Sequence, residues 1–106
     1  MILATNDSLA GYRITETLGL VRGNTSARHI GRDIMALLKN IVGGEITEYT
    51  KLMSESREQS LDRMTADAER LGANAILSVR FTTSMLMGGA AELLAYGTAV
   101  RIEKVE

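Results

Sequence analysis

The sequence predicts an α+β domain in ββααββ order: a mostly antiparallel sheet with two helices packed on one face. Three observations predict it. Residues 12–22, 75–85 and 93–103 alternate apolar with polar or small side chains, the period of a half-buried strand. Residues 30–41 and 45–71 place apolar side chains at helical spacing instead. Glycines fall between these segments, in a chain with no proline.

Ile2-Leu3-Ala4 reads as a short first strand, closed by the turn residues Asn6-Asp7-Ser8. The second strand runs from Tyr12 to Arg22. Ile14, Leu18 and Leu20 are expected on one face, with Thr15, Thr17 and Gly19 on the other, and Gly23-Asn24 ends it. Ile30, Ile34, Leu37, Leu38 and Ile41 form the buried stripe of a first helix. Thr25 or Ser26 is placed to cap its start and Gly43-Gly44 its end.

The second helix is predicted over Glu45 to Leu71. Glu45 and Glu48 suit the positive end of its dipole, and Gly72 stands where a left-handed exit residue belongs. Its apolar stripe is Ile46, Tyr49, Met53, Leu61, Met64, Ala68 and Leu71, interrupted by the polar run Ser54–Ser60. A 27-residue helix would span about 40 Å, longer than a compact globule of this chain length, about 30–35 Å across. It is therefore expected to kink in the polar run or to overhang and meet a neighbouring subunit.

The last two strands are Ala75 to Met85 and Leu93 to Glu103, joined through Met87-Gly88-Gly89-Ala90. Leu77, Val79 and Phe81 are expected on one face of the first. In the second, Leu94, Tyr96, Val100 and Ile102 are expected under the helices. Its other face carries Ala95, Gly97 and Ala99, small enough for another backbone to approach closely. That face is either plain solvent-facing sheet or an oligomer interface. The tail Lys104-Val105-Glu106 is expected to fray.

With 106 residues the chain is expected to form one domain, 1–106, with a modest core of its own. Twelve basic and thirteen acidic residues give a net charge of −1, and no basic cluster marks a nucleic-acid binder. The charge is unevenly placed. Arg13, Arg22, Arg28, Arg32 and Lys39 dominate residues 13–39, whereas residues 45–71 hold seven acids and four bases. Complementary patches of this kind can steer self-association. The absence of cysteine excludes disulfides, thiolate metal sites and a cysteine nucleophile. Neither a signal peptide nor a membrane-length apolar run is evident, so no membrane partner is expected and the expected location is cytoplasmic.

Three segments together resemble the YbjQ-like family: Asn40-Ile41-Val42-Gly43-Gly44-Glu45-Ile46-Thr47-Glu48-Tyr49-Thr50, Leu71-Gly72-Ala73-Asn74-Ala75-Ile76 and Ala95-Tyr96-Gly97-Thr98-Ala99-Val100. Val79-Arg80-Phe81 lies between the last two, so the resemblance covers nearly the whole chain. It implies a dodecin-like α+β fold and a homopentameric ring with added strands at the interfaces. It also carries a heavy-metal-binding label without a defined reaction.

Soft metals seek thiolate, thioether and imidazole ligands. This chain offers no Cys and a single His, so no metal residues are assigned. Met35, Met53 and Met64 fall on or beside apolar stripes, and Met85 and Met87 flank the last hairpin. His29 sits between Arg28 and Arg32, poor company for a cation. That helix start suits an anion better, with Asn24 and Thr25 forming a cradle and Arg28 and Arg32 donating; the plainer reading is a capped helix start with surface arginines. Glu48, Glu55, Asp62 and Glu69 recur every seven residues, with Glu58 alongside, as an acidic stripe that either gathers hard cations or faces solvent. Arg80 is a candidate for a cross-strand ion pair with Glu92 or Glu103.

No Gly-x-Ser-x-Gly elbow or P-loop is present, and no cofactor is called for. The leading expectation is a small oligomeric binding or scaffold protein whose ligand site forms between subunits, with a small anion or metal ion as the ligand class. A metal-binding or metal-sensing protein is the alternative. An enzyme with an inter-subunit site using Arg28, His29 and Arg80 is the third.

Overall fold

The computed structural model describes residues 1–25, 47–85 and 91–106. These form strands β1 (Ile2–Leu3) and β2 (Tyr12–Asn24), helix α1 (Thr47–Arg70), and strands β3 (Ala75–Met85) and β4 (Ala91–Lys104). The four strands make one mixed sheet in the order β1-β3-β4-β2. β1 runs parallel to β3, and the other pairings are antiparallel. The α+β class is as expected. The first helix expected over residues 30–41, its caps at Ser26 and Gly43-Gly44, and the glycine connection at 86–90 lie outside the described residues.

Alternation fails in β2 for a physical reason. Its register against β4 shifts between Ile14 and Glu16 and again between Thr17 and Gly19, and Gly19 has φ +119°. Each bulge adds a residue to β2 and resets which side chains share a face. Ile14, Leu18 and Leu20 therefore do not lie together. Leu18 packs toward the helix, whereas Ile14 and Leu20 are exposed on the opposite face.

β3 bulges likewise between Leu77 and Arg80, with Ser78 in the left-handed region at φ 54°. The expected shared face of Leu77 and Val79 is split as a result. Val79 joins the helix-side core, while Leu77 joins a second cluster on the far face with Ala75, Val100 and Ile102. The N-terminal segment satisfies the bulge. Ser78 N donates to Asn6 O (2.9 Å) and Val79 N to Ala4 O (3.0 Å), and Ala4 and Leu9 pack on the far-face cluster.

Helix α1 passes through the polar run 54–60 as one element. Ser56 and Ser60 are buried there, at the positions that continue the stripe from Met53 to Met64 and Ala68. The Ser60 hydroxyl donates to Ser56 O (3.0 Å) and lies 2.6 Å from the Thr25 hydroxyl, which itself donates to Ser56 O (3.0 Å). Two small hydroxyls thus replace apolar bulk without orphaning a polar atom. No buried side-chain N or O lacks a partner among the described residues. Gly72 at φ +82° ends the helix, with Ala73 N reaching back to Ala68 O (3.1 Å) and Gly72 N donating to Glu69 O (3.0 Å).

The helix covers the face opposite to the one expected. Ala95 and Ala99 are fully buried with Val21, Ile76, Met64 and Ala68 in the helix-side core. Gly23 explains why. It does not end its strand but lies inside β2, where an added Cβ would fall on the backbone of Ser60 and Met64 and 2.7 Å from Arg63 Cβ. Helix and strand backbones touch here, an approach that only a glycine permits. Gly97 is equally enclosed, since a Cβ there would sit 2.8 Å from Ile76 Cγ2. The small residues of β4 are thus accounted for within the chain, by close packing of its own helix and sheet.

Candidate functional site

The opposite face of the sheet divides into two halves. At one end Val100, Ile102, Ala75 and Leu77 are buried beneath Ala4 and Leu9. At the other end nothing among the described residues covers the strands. Leu20 is 68% exposed and Tyr96 37%. Register defines the row: Arg22 pairs with Tyr96, and Tyr96 pairs on its other side with Arg80. Directly opposed residues point to the same face, so an aromatic ring stands between two arginines. The neighbouring pair Leu20 and Thr98 extends the patch.

Arg80 does not pair with Glu92 or Glu103 as expected. Its Nη1 donates to Thr5 O and Val79 O, both at 2.9 Å. Glu103 accepts from Arg13 (3.0 Å), and Glu92 accepts from Asn24 Nδ2 (3.1 Å). The physical reason is the β3 bulge, which sets Arg80 opposite Tyr96 rather than opposite an acid.

Of the residues expected to cradle an anion, Asn24 and Thr25 are described. The Asn24 side chain is engaged with Glu92 and its carbonyl accepts from Arg63 Nη1. Thr25 is buried, its hydroxyl bonded to Ser56 and Ser60 and its amide to Leu93 O (2.9 Å). Arg28, His29 and Arg32 lie outside the described residues. Glu55, Glu58, Asp62 and Glu69 are exposed along the outer side of α1, and none has an ion-pair partner among the described residues.

The helix–edge contact carries one perturbed acid. Asp67 is held below the usual carboxylate range, chiefly by its hydrogen bond from Arg70 (2.7 Å) and next by the Arg22 amide (3.2 Å). That amide belongs to the edge strand β2, so Asp67 also satisfies a backbone donor at the open side of the sheet.

Among the described residues, one helix packs on a four-stranded mixed sheet whose other face carries Tyr96 between two arginines, which defines the class: a small α+β protein. The chain belongs to the YbjQ family, whose model, described as "Putative heavy-metal-binding", matches residues 1–103. It is 58% identical to a UPF0145 protein of Methanosarcina acetivorans over 96% of this chain and 97% of that one. It is 53% identical to a UPF0145 protein of Pyrococcus horikoshii over 100% of this chain and 92% of the relative. A solved structure of a DUF74-family protein of unknown function from Pediococcus pentosaceus shares the fold, with a TM-score of 0.55 at 19% identity, covering 97% of this chain and 98% of that one.

The donor set does not fit the metal that the family description names. The chain has no cysteine and one histidine, and the described residues hold no group of three His, Cys, Asp or Glu side chains able to enclose an ion. Met64, a soft donor, is wholly buried among apolar side chains. No described helix is long and apolar enough to cross a membrane.

Proposed function

We propose that this protein is a homo-oligomeric binding or scaffold protein whose ligand site is formed between subunits. The observation that carries this reading is the half of the sheet face that no described residue covers, with Leu20 and Tyr96 exposed beside a buried half of the same face. Exposing such a surface forfeits burial worth about 25 cal/mol per Å². The described helix, already engaged on the other face, cannot recover it. The shape agrees. The Cα radius of gyration is 16.9 Å, against about 13 Å for a compact domain of this length. A subunit this extended gains its missing burial from neighbours.

The ring order of five, and the dodecin-like arrangement of its subunits, rest on the family resemblance. A small anion is the ligand class favoured for the shared site, with Arg22 and Arg80 as the cationic groups flanking Tyr96.

Native mass spectrometry of untagged protein, purified without chelators, tests the reading. The expected result is a complex several times the 11.5 kDa chain mass, with any retained ligand reported in the same spectrum. A monomer at tens of micromolar, where a ~1 μM interface would be mostly assembled, refutes it.

A further inference from the structure

We infer that residues 4–9 form a releasable strap that opens and closes as one unit with the bulge of β3 and the side chain of Arg80. Every contact involved lies within one chain. β1 ends at Leu3, and the residues after it pack on the far-face cluster before β2 begins at Tyr12. Three donors of β3 turn to this segment rather than to β4. Ser78 N donates to Asn6 O (2.9 Å), Val79 N to Ala4 O (3.0 Å) and Arg80 Nη1 to Thr5 O (2.9 Å). This is where the register of β3 against β4 shifts, between Leu77 and Arg80. Bulge and strap therefore meet over three consecutive residues, and each satisfies polar groups that the other would leave open.

Both partners are held lightly. Ser78 sits at φ 54°, a region that a residue other than glycine enters at a cost. The hydrogen bonds to the strap offset that cost while the strap is closed. The strap itself has little burial. Residues 5–8 are exposed, and Ala4 and Leu9 are its partly buried contacts with the cluster of Ala75, Leu77, Val100 and Ile102. The strand leading into it, β1, is two residues long, and Ala4 N is tied to Ile76 O (3.0 Å). A segment with few apolar contacts and hydrogen bonds near solvent opens at a free energy well below that of the whole domain. When it lifts, the amides of Ser78 and Val79 lose their acceptors, Ser78 is free to leave the left-handed region, and Arg80 is released from Thr5. The same motion takes Ala4 and Leu9 off the apolar cluster. The closed strap is thus a cover for that cluster and a clasp on Arg80.

Native-state hydrogen exchange of the intact protein tests this, read at the Ala4 amide, which lies far along the chain from the substituted positions. In the wild type Ala4 should exchange faster than the slowest amides of the β2–β4 ladder, through opening of the strap alone. Ser78→Gly removes the cost of the left-handed region, which the closed strap alone imposes, and should slow Ala4 exchange by roughly fivefold or more. Arg80→Ala removes the clasp on Thr5 and should speed it by roughly threefold. Ala4 exchanging only at the rate of the slowest ladder amides overturns the inference, because the strap would then open only when the domain unfolds. Ala4 exchange unmoved by both substitutions overturns it as well. So does a shift in one variant alone, since strap, bulge and Arg80 would then not open together.

Discussion

The side-chain amide of Asn74 serves both backbone groups of Ile102: Nδ2 donates to Ile102 O at 3.0 Å, and Oδ1 accepts from Ile102 N at 2.8 Å. Asn74 directly precedes β3, whose pairing with β4 begins at Ala75 and Val100. A side chain thus adds one more rung to the ladder, close to where the last turn of α1 unwinds at Gly72. Asn74→Ala leaves an N–H and a C=O without these partners in a part-buried position, and should lower stability by about 1–3 kcal/mol. Urea denaturation checks this. Asn74→Asp retains the acceptor but turns a second carboxylate oxygen toward Ile102 O, so it should rescue little at neutral pH.

Gly23 and Gly11 make a controlled pair. A Cβ at Gly23 collides with the backbone of α1, whereas a Cβ at Gly11 meets nothing within 4 Å although its φ is +81°. Gly11→Ala should cost about 1–2 kcal/mol, the penalty of a left-handed alanine. Gly23→Ala should cost more, at or above the ~1–3 kcal/mol typical of overpacking, because neither backbone can yield without separating helix from sheet. Thermal unfolding of the two variants side by side checks the order. Equal losses would contradict the close approach.

Asp67 gives stability a defined pH dependence. Its folded pKa lies below the ordinary carboxylate value, first through Arg70 and then through the Arg22 amide. A carboxylate with a depressed folded pKa stabilises the fold fully above its unfolded value, and that contribution is lost as pH falls through the folded value. Unfolding measured from pH 6 downward should therefore show a loss beginning near the unfolded carboxylate range. In Asp67→Asn the curve should flatten in that window, while the neutral-pH stability falls because the charged partner of Arg70 is gone. A wild-type curve identical in shape to that of Asp67→Asn would contradict the assignment.

Soft metals should bind weakly despite the family description. With no cysteine and one histidine per chain, isothermal titration of untagged protein with Zn²⁺, Cd²⁺ or Hg²⁺ should show no stoichiometric binding at sub-micromolar affinity. Tight stoichiometric binding would place shared donors at a subunit boundary.

The amino-acid sequence by itself determined the element types and many of their ends. Alternating stretches between glycines mark where β2, β3 and β4 lie, though not which side chains share a face, and the helical stripe through Met64 and Ala68 marks α1. Gly72 marks its exit, because a left-handed residue is needed there whatever surrounds it. These are local properties, readable from neighbours in the chain. Three other features were decided only by tertiary structure. The bulge at Ser78 carries no glycine to announce it, yet it separates Leu77 from Val79 and sets Arg80 opposite Tyr96. Ser56 and Ser60 read as a break in the apolar stripe, and become core residues only because Thr25 and the carbonyls of Ser56 and Leu93 come within hydrogen-bonding reach. The choice of sheet face was likewise not local. Hydrophobicity favoured the side of Leu94, Tyr96, Val100 and Ile102 for the helix, but Gly23, Ala95 and Ala99 let the helix backbone come closer on the other. Close packing across a small-residue surface outweighed the larger apolar side chains, and that left Leu20 and Tyr96 facing outward.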